Sequence, residues 1–347
     1  MPLVRSRLLL LSMCLMHVAR KEAVAIPLSG YICPSCPSCL DPAALLRTLH
    51  PAYTTVNIAF AGFDENGTAT NLFDTEDWSL SPVDVTALQK QGRKVLLSVG
   101  GGNGAILTCS TSIEFIMTLT KSLLQLVTRY GFDGIDWDIE HRSGNYEQCG
   151  TIVSTVITSM KSSMPHLMMS IAPQMPNLDP DVNMIAAGFN ELVPVISKQG
   201  VLARIDVVQP QMYNTWAAVE TIAYAQSYTE KLLAGFSITA STSHNVYDVK
   251  VPANKLFLGY PATPKGAGTG FINPTLVAAM VGNLSAHGIH IGGIMTWSIG
   301  WDAQAGRGSC LRIETPPVTL LPRLWLHLFL LDHPQHRHHH LHQHHHH

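Results

Sequence analysis

The chain has 347 residues, with 22 lysines and arginines against 24 aspartates and glutamates, a net charge of -2. Charged residues make up only 13% and hydrophobic residues 46%, which excludes a disordered chain and offers no basic surface for nucleic acid. The length allows one large domain or two ordinary ones.

At the N-terminus, Arg5 and Arg7 precede an apolar run from Leu8 to Met16 that is too short to span a bilayer, and Ala23-Val24-Ala25 follows as a small-x-small cleavage site. Residues 1–25 are therefore expected to be a signal peptide and the protein to be secreted. The sequons Asn66-Gly67-Thr68 and Asn283-Leu284-Ser285 fit a secreted surface. With Cys14 removed, Cys33, Cys36, Cys39, Cys109, Cys149 and Cys310 remain, an even set that suggests disulfides. The run Cys33-Pro-Ser-Cys36-Pro-Ser-Cys39 begins like an iron–sulfur motif, but the next ligand would fall on Ala43. A zinc site there would need a fourth ligand from elsewhere, so disulfides are the better expectation.

From Ile26 onward, short apolar runs alternate with helix-length segments. The spacing predicts eight strands: Ile26–Tyr31, Thr54–Ala61, Lys94–Gly100, Gly134–Glu140, Leu167–Ala172, Asp206–Tyr213, Lys255–Tyr260 and Gly292–Trp297. Between the third and fourth, Ser112–Tyr130 repeats its apolar residues at helical spacing (Ile113, Ile116, Leu119, Leu123, Val127). Strands separated by helices demand a parallel sheet, and eight such units predict an α/β fold, a single (β/α)8 TIM barrel over 26–305. A doubly wound open sheet is the alternative, but no Gly-x-Gly-x-x-Gly follows the first strand. Beyond the barrel, residues 306–347 read as a disordered low-complexity tail, with eleven of the 18 histidines between His327 and His347. Its leucine-rich stretch, interrupted by His327, is too short for a membrane span.

A barrel does its chemistry at the carboxyl ends of its strands. Polar and aromatic residues gather at those ends: Asp136, Asp138 and Glu140 on the fourth strand, Tyr213 and Asn214 on the sixth, Trp297 on the eighth, and Gly100-Gly101-Gly102 after the third. In Gly134-Ile-Asp136-Trp-Asp138-Ile-Glu140, alternation places the three acids on one face and Ile135, Trp137 and Ile139 on the other. Carboxylates two apart on a strand are about 6.5–7 Å apart. At that separation they repel by roughly 2.5 kcal/mol at an effective dielectric near 20. At least one should therefore hold a proton near neutral pH, and Glu140, nearest the mouth, is placed to deliver it.

The run Asp133-x-x-Asp136-x-Asp138-x-Glu140 resembles the DxxDxDxE signature of family 18 glycoside hydrolases, the chitinases. Ser98-Val-Gly-Gly101, Ser170-Ile-Ala172-Pro173-Gln174, Gln211-Met-Tyr213-Asn214 and Gly293-Ile-Met-Thr-Trp297-Ser resemble the family's third, fifth, sixth and eighth strands. In motif the chain is similar to plant class III and related bacterial chitinases. The resemblance implies a chitinase with a substrate-assisted retaining mechanism, an exception to the two-carboxylate scheme, and the short segment between the seventh and eighth strands, with no long insertion, suggests an open groove and endo-type cleavage. The resemblance makes Glu140 the acid, Asp138 the group that orients the substrate's acetamido, Asp136 its proton-sharing neighbour, and Tyr213 a donor to the acetamido carbonyl. Trp297 would floor the cleft, with Gln211, Asn214 and Gly101 at the substrate and Tyr31 and Phe60 as walls. It implies no metal and no cofactor, chitin or N-acetylglucosamine oligomers as partners, a monomer, and neither nucleic acid nor membrane. An endo-β-N-acetylglucosaminidase acting on N-glycan cores and a non-catalytic chitin-binding lectin are the alternatives. Cys109 and Cys149, in adjacent loops after the third and fourth strands, are the first expected disulfide.

Overall fold

The computed structural model describes residues 26–39, 41–102, 106–143, 145–179, 192–198, 200–215, 220–240 and 243–306. The expected leader at 1–25, the expected tail beyond Gly306 and Cys310 lie outside them.

Eight parallel strands form the barrel among the described residues: β1 (Leu28–Ile32), β2 (Tyr53–Phe63), β3 (Lys94–Gly100), β4 (Gly134–Asp138), β5 (Met168–Ile171), β6 (Val207–Val208), β7 (Phe257–Pro261) and β8 (Gly293–Trp297). They neighbour one another in the order β7-β8-β1-β2-β3-β4-β5-β6. Parallel bridges Val208–Leu256 and Gln211–Gly259 join β6 to β7 and close the ring. The sixth strand is shorter than the expected Asp206–Tyr213 because Pro210 has no N–H to donate. Its ladder nevertheless continues on both sides, through Gln211 N to Pro173 O and Met212 N to Gly259 O.

The helices are α1 (Pro42–Arg47), α2 (Pro82–Lys90), α3 (Ile113–Tyr130), α4 (Tyr146–Ser163), α5 (Val193–Ile196), α6 (Ile222–Ala234), α7 (Pro274–Ala286) and α8 (Ile299–Gln304). Seven begin at a side-chain cap, among them Asp41 before Pro42, the reciprocal Ser81–Asp84 box, and Asn273 before Pro274. After β5 the described residues form a 3-10 turn at Met175–Leu178 and, from Val193, the one-turn α5, each with a proline at its start. An antiparallel hairpin, Phe236–Thr239 with Val246–Val249, is an addition to the expected alternation between α6 and β7. None of the described helices is long and apolar enough to cross a membrane.

Two apolar layers follow from strand alternation. Val56, Ile58, Val95, Leu97, Val99, Ile135 and Trp137 point outward into one continuous core under the helices. Tyr31, Ala59, Ala172, Tyr213, Phe257 and Met295 form a second cluster within the ring.

Two disulfides are present among the described residues. Cys109 is joined to Cys149 as expected, tying the loop after β3 to the start of α4 across 40 positions of sequence. Replacing both with serine is expected to lower unfolding stability by about 2–4 kcal/mol, since a loop of this length loses much closure entropy when crosslinked. Chemical denaturation checks this; an unchanged midpoint would show that the bond restrains nothing. Cys33 pairs with Cys36, which removes both sulfurs from any metal site. Cys39 remains a buried thiol, its pKa pushed up to about 11 by burial and by Asp41.

Candidate active site

The site is built outward from β4. That strand is hydrogen-bonded to β3 and β5, with Asp136 facing Ser98 on one side and Ser170 on the other. Asp133, at the strand's lower end, accepts hydrogen bonds from Val95 N (2.9 Å), Lys94 Nζ (2.8 Å) and Gln89 Nε2 (3.0 Å), which pins the register of β3 against β4. With the register fixed, Asp136 and Asp138 point into the barrel and Trp137 packs outside. The strand ends at Asp138, two residues earlier than expected, and Glu140 stands half-buried beyond it.

Asp136 is fully buried, yet it is surrounded by donors. Tyr31 Oη donates to its Oδ2 at 2.6 Å, Ser98 Oγ to the same oxygen at 2.8 Å, and Gln209 Nε2 to its Oδ1 at 2.8 Å. Burial raises the carboxyl above its ordinary range, and these hydrogen bonds oppose that rise. Asp138, one inward position higher, is pushed well above the carboxylate range by burial and then by the charges of Glu140 and Asp136. It accepts from Gln211 Nε2 at 2.7 Å. The same nitrogen lies 3.1 Å from the carbonyl of Ala172 and 3.5 Å from Glu140 Oε1. Gln174 Nε2 reaches Glu140 Oε2 at 3.3 Å, so two amides hold the outermost acid. Tyr213 keeps its proton far above neutrality because it is buried beside Asp138, Glu140 and Asp136. Its hydroxyl is therefore a neutral donor.

A cleft of about 410 Å³ opens above these groups. Asp138 and Glu140 line it together with Gln174, Gln211, Tyr213, Asn214 and Trp297, and Phe60, Leu72 and the Cys33–Cys36 turn complete its wall. Phe60 reaches the cleft through a bulge: Ala59 pairs with Ser98 and Ala61 with Val99, leaving Phe60 as the extra residue. Its ring stacks on Trp297 with centroids 6.0 Å apart. Gly101 has φ +82°, its N–H donates to Asp138 O at 2.7 Å, and a Cβ there would meet the Phe60 ring at 2.6 Å. No larger residue fits that position without moving either the ring or Asp138.

Most of the expected site residues therefore come together. Tyr31 is the correction. It is only 1% exposed and lies beneath the cleft rather than along its side, because β1 directs its hydroxyl at Asp136. Asp136 and Gly101 likewise support the cleft from below. Asn214 is at the rim with φ 52°, its Oδ1 taken by Gly268 N at 2.8 Å. Sequence reasoning did not single out Gln209, and it quoted Ser98 and Gln174 only as parts of motifs. An amide or hydroxyl on an inward strand position next to a buried acid was the available signal. No cluster of three His, Cys, Asp or Glu side chains fit to hold a metal occurs among the described residues.

Residues 41–270 match the sequence profile of glycosyl hydrolases family 18. A chitinase of Paenibacillus xylanexedens is 28% identical over 297 residues, covering 74% of this chain and 55% of that protein. The chain thus spans about half the length of that relative. An acidic endochitinase of Beta vulgaris is 30% identical over 267 residues, 72% of this chain and 80% of its own length. A family GH18 chitinase from Chromobacterium violaceum shares the fold, with a TM-score of 0.67 at 24% identity over 83% of this chain and 82% of that one.

Proposed function

The chain belongs to glycosyl hydrolase family 18, and from that premise we propose that it is an endo-acting chitinase cleaving β-1,4 bonds between N-acetylglucosamine units. One observation supports this above the others: Asp138 lies between Asp136 and Glu140 under an aromatic cleft, hydrogen-bonded by Gln211 and raised toward its neutral form.

In the proposed mechanism Glu140 gives its proton to the glycosidic oxygen as the bond breaks. The acetamido carbonyl oxygen of the sugar on the non-reducing side of that bond attacks the anomeric carbon, forming an oxazolinium ion. Asp138 accepts a hydrogen bond from the acetamido N–H, and as the cation develops the proton that Asp138 shares with Asp136 in the free protein passes to Asp136, so that Asp138 balances the positive charge, a preorganised electrostatic role. Tyr213 donates its hydroxyl to the acetamido oxygen. Glu140, now a carboxylate, takes a proton from water, which opens the ring with net retention. The sugar supplies its own nucleophile. That fits a cleft in which, among the described lining residues, only Asp138 and Glu140 carry carboxylates.

Trp297 would pack on the apolar face of the sugar whose bond is cut, with Phe60 stacked behind it. Between β7 and β8 the chain adds only α7 and its two connections. This supports an open groove that accepts a chain along its length, hence endo action. Because chitin is an extracellular polymer, we also propose that residues 1–25 direct secretion.

The test is to incubate the protein with N-acetylglucosamine oligomers and, in parallel, with a high-mannose glycoprotein, following the anomeric form of the first products. Internal cleavage giving β-anomers supports the proposal. Release of glycan from the glycoprotein alone would replace it with an N-glycan-directed activity. Binding of oligomers without cleavage would make the protein a lectin.

A further inference from the structure

Gln209 follows β6 on the inward face, two positions below Gln211, and is fully buried. Its Nε2 lies 2.8 Å from Asp136 Oδ1 and 2.9 Å from Tyr31 Oη, so one amide group donates to both. Tyr31 in turn donates to Asp136 Oδ2 at 2.6 Å. The polarity of this chain is fixed by its first member. A phenol has one hydrogen, and a tyrosine oxygen that accepts from Gln209 must turn that hydrogen elsewhere, here onto Asp136.

The amide side chain could also sit the other way round. Its oxygen would then face a carboxylate oxygen, which is repulsive unless Asp136 carries the proton. It would also compete with Asp136 for the Tyr31 hydrogen. The arrangement present has Oε1 making no hydrogen bond to any described residue. The amide thus leaves its own acceptor unmatched while one of its hydrogens goes to the carboxylate and the other to the Tyr31 oxygen, at a cost a buried amide does not normally bear. A proton on Asp136 would break this pattern, because every neighbour presents it with a donor.

Two adjacent buried carboxylates do not ionise together and share one proton between them. We propose that Gln209 is a positioning residue that keeps Asp136 as the anion of the Asp136–Asp138 pair, and so places the shared proton on Asp138. The kinetic consequence rests on the function proposed above; the placement of the proton does not. The titratable groups facing the pair are Tyr31 from β1, Glu140 beyond β4 and Tyr213 beyond β6. From the other strands the inward neighbours are Ala59, Ser98, Ser170, Phe257 and Met295, none of which titrates in this range.

The experiment uses Gln209→Met, which keeps the volume and removes the donors. In the free protein, carbon-13 NMR of labelled aspartate carboxyls follows the pair directly and needs no substrate. In parallel, the pH dependence of kcat and kcat/KM is measured on the N-acetylglucosamine tetramer. The variant should titrate about one pH unit higher than the parent, in the same direction as the acid limb of its kcat/KM profile. KM should hold, because Gln209 does not line the cleft. Gln209→Asn, which keeps an amide but withdraws it from Asp136, should shift the same way and serves if the methionine variant does not fold. If the carboxyls move while the parent cleaves no oligomer, the proposed chitinase activity falls and the proton placement stands. If both variants titrate as the parent does, the role assigned to Gln209 is wrong.

Discussion

Exchanging Glu140 for glutamine is expected to lower kcat on N-acetylglucosamine oligomers by about 10²–10⁴-fold, with the fold intact. Glutamine matches the carboxylate in shape but has no proton to give at neutral pH, and the leaving sugar would depart as an alkoxide. The substitution is structurally mild. Glu140 is half-buried, and amide nitrogens of Gln174 and Gln211 hold its two carboxylate oxygens separately at 3.3 and 3.5 Å, so a glutamine there keeps one of these long hydrogen bonds on its carbonyl oxygen and loses only the other. Substrate affinity should therefore persist, and single-turnover kinetics should place the whole loss in the chemical step. A variant that cleaves as fast as the parent would remove Glu140 from the mechanism. A variant with a collapsed melting transition would show that Glu140 organises the cleft as well as serving it.

Asp138→Asn is expected to cost about 10²–10³-fold in kcat and yet to stabilise the protein at neutral pH. Asparagine keeps an oxygen for Gln211 but brings no charge to balance a developing cation. The stability gain follows from the direction of the Asp138 shift. Its carboxyl is raised by burial and by Glu140 and Asp136. Between the unfolded value near 3.9 and the raised folded one, the folded state holds a proton that the unfolded chain has released. Stability therefore falls as pH rises through that window, and above it the full cost of the buried charge applies. Asparagine has no such window. The melting temperature of the variant minus that of the parent should be near zero around pH 3.5 and positive at pH 7.5. A difference that shrinks as pH rises would show that the charge at position 138 is no burden to the fold.

The eight strands could be read from the chain because each is a short apolar run followed by a polar or glycine-rich break. The acids could be read because alternation along β4 leaves no other face for Asp136 and Asp138. Where a local irregularity intervenes, the reading weakens. Phe60 reaches the cleft only because β2 carries an extra residue between Ala59 and Ala61, and strict alternation would turn its ring outward. Tyr31 was expected along the cleft. Whether an inward residue reaches the mouth or stays below depends on strand tilt and height, which sequence spacing does not encode. The hairpin at 236–249 alternates Phe236-Ser-Ile-Thr with Val246-Tyr-Asp-Val, but its segments are too short to stand out beside eight stronger strands. Gln209 is the clearest omission. Gln209, Gln211 and Gln174 are ordinary polar residues in sequence, and only the closed ring brings them to within 2.7–3.5 Å of the acids.

Past Gly100, the chain after β3 forms a three-residue strand, Ile106–Thr108, which pairs in parallel with His141–Ser143 from the chain after β4. The latter begins one residue beyond Glu140. The acid thus hangs in a two-residue span, Ile139-Glu140, slung between the barrel ladder that ends at Asp138 and this second ladder, with the Cys109–Cys149 bond closing the structure behind it. A residue on a free loop would have to search for its target at every turnover. Glu140 is anchored by a strand ladder on each side, which leaves its side chain to make the reach. Substrates must then come to the acid. If Glu140 is the acid proposed above, a glycan branched where the sugar chain passes that span would meet backbone held on both sides, and linear chains would be favoured by the mounting of one carboxyl as well as by the shape of the cleft.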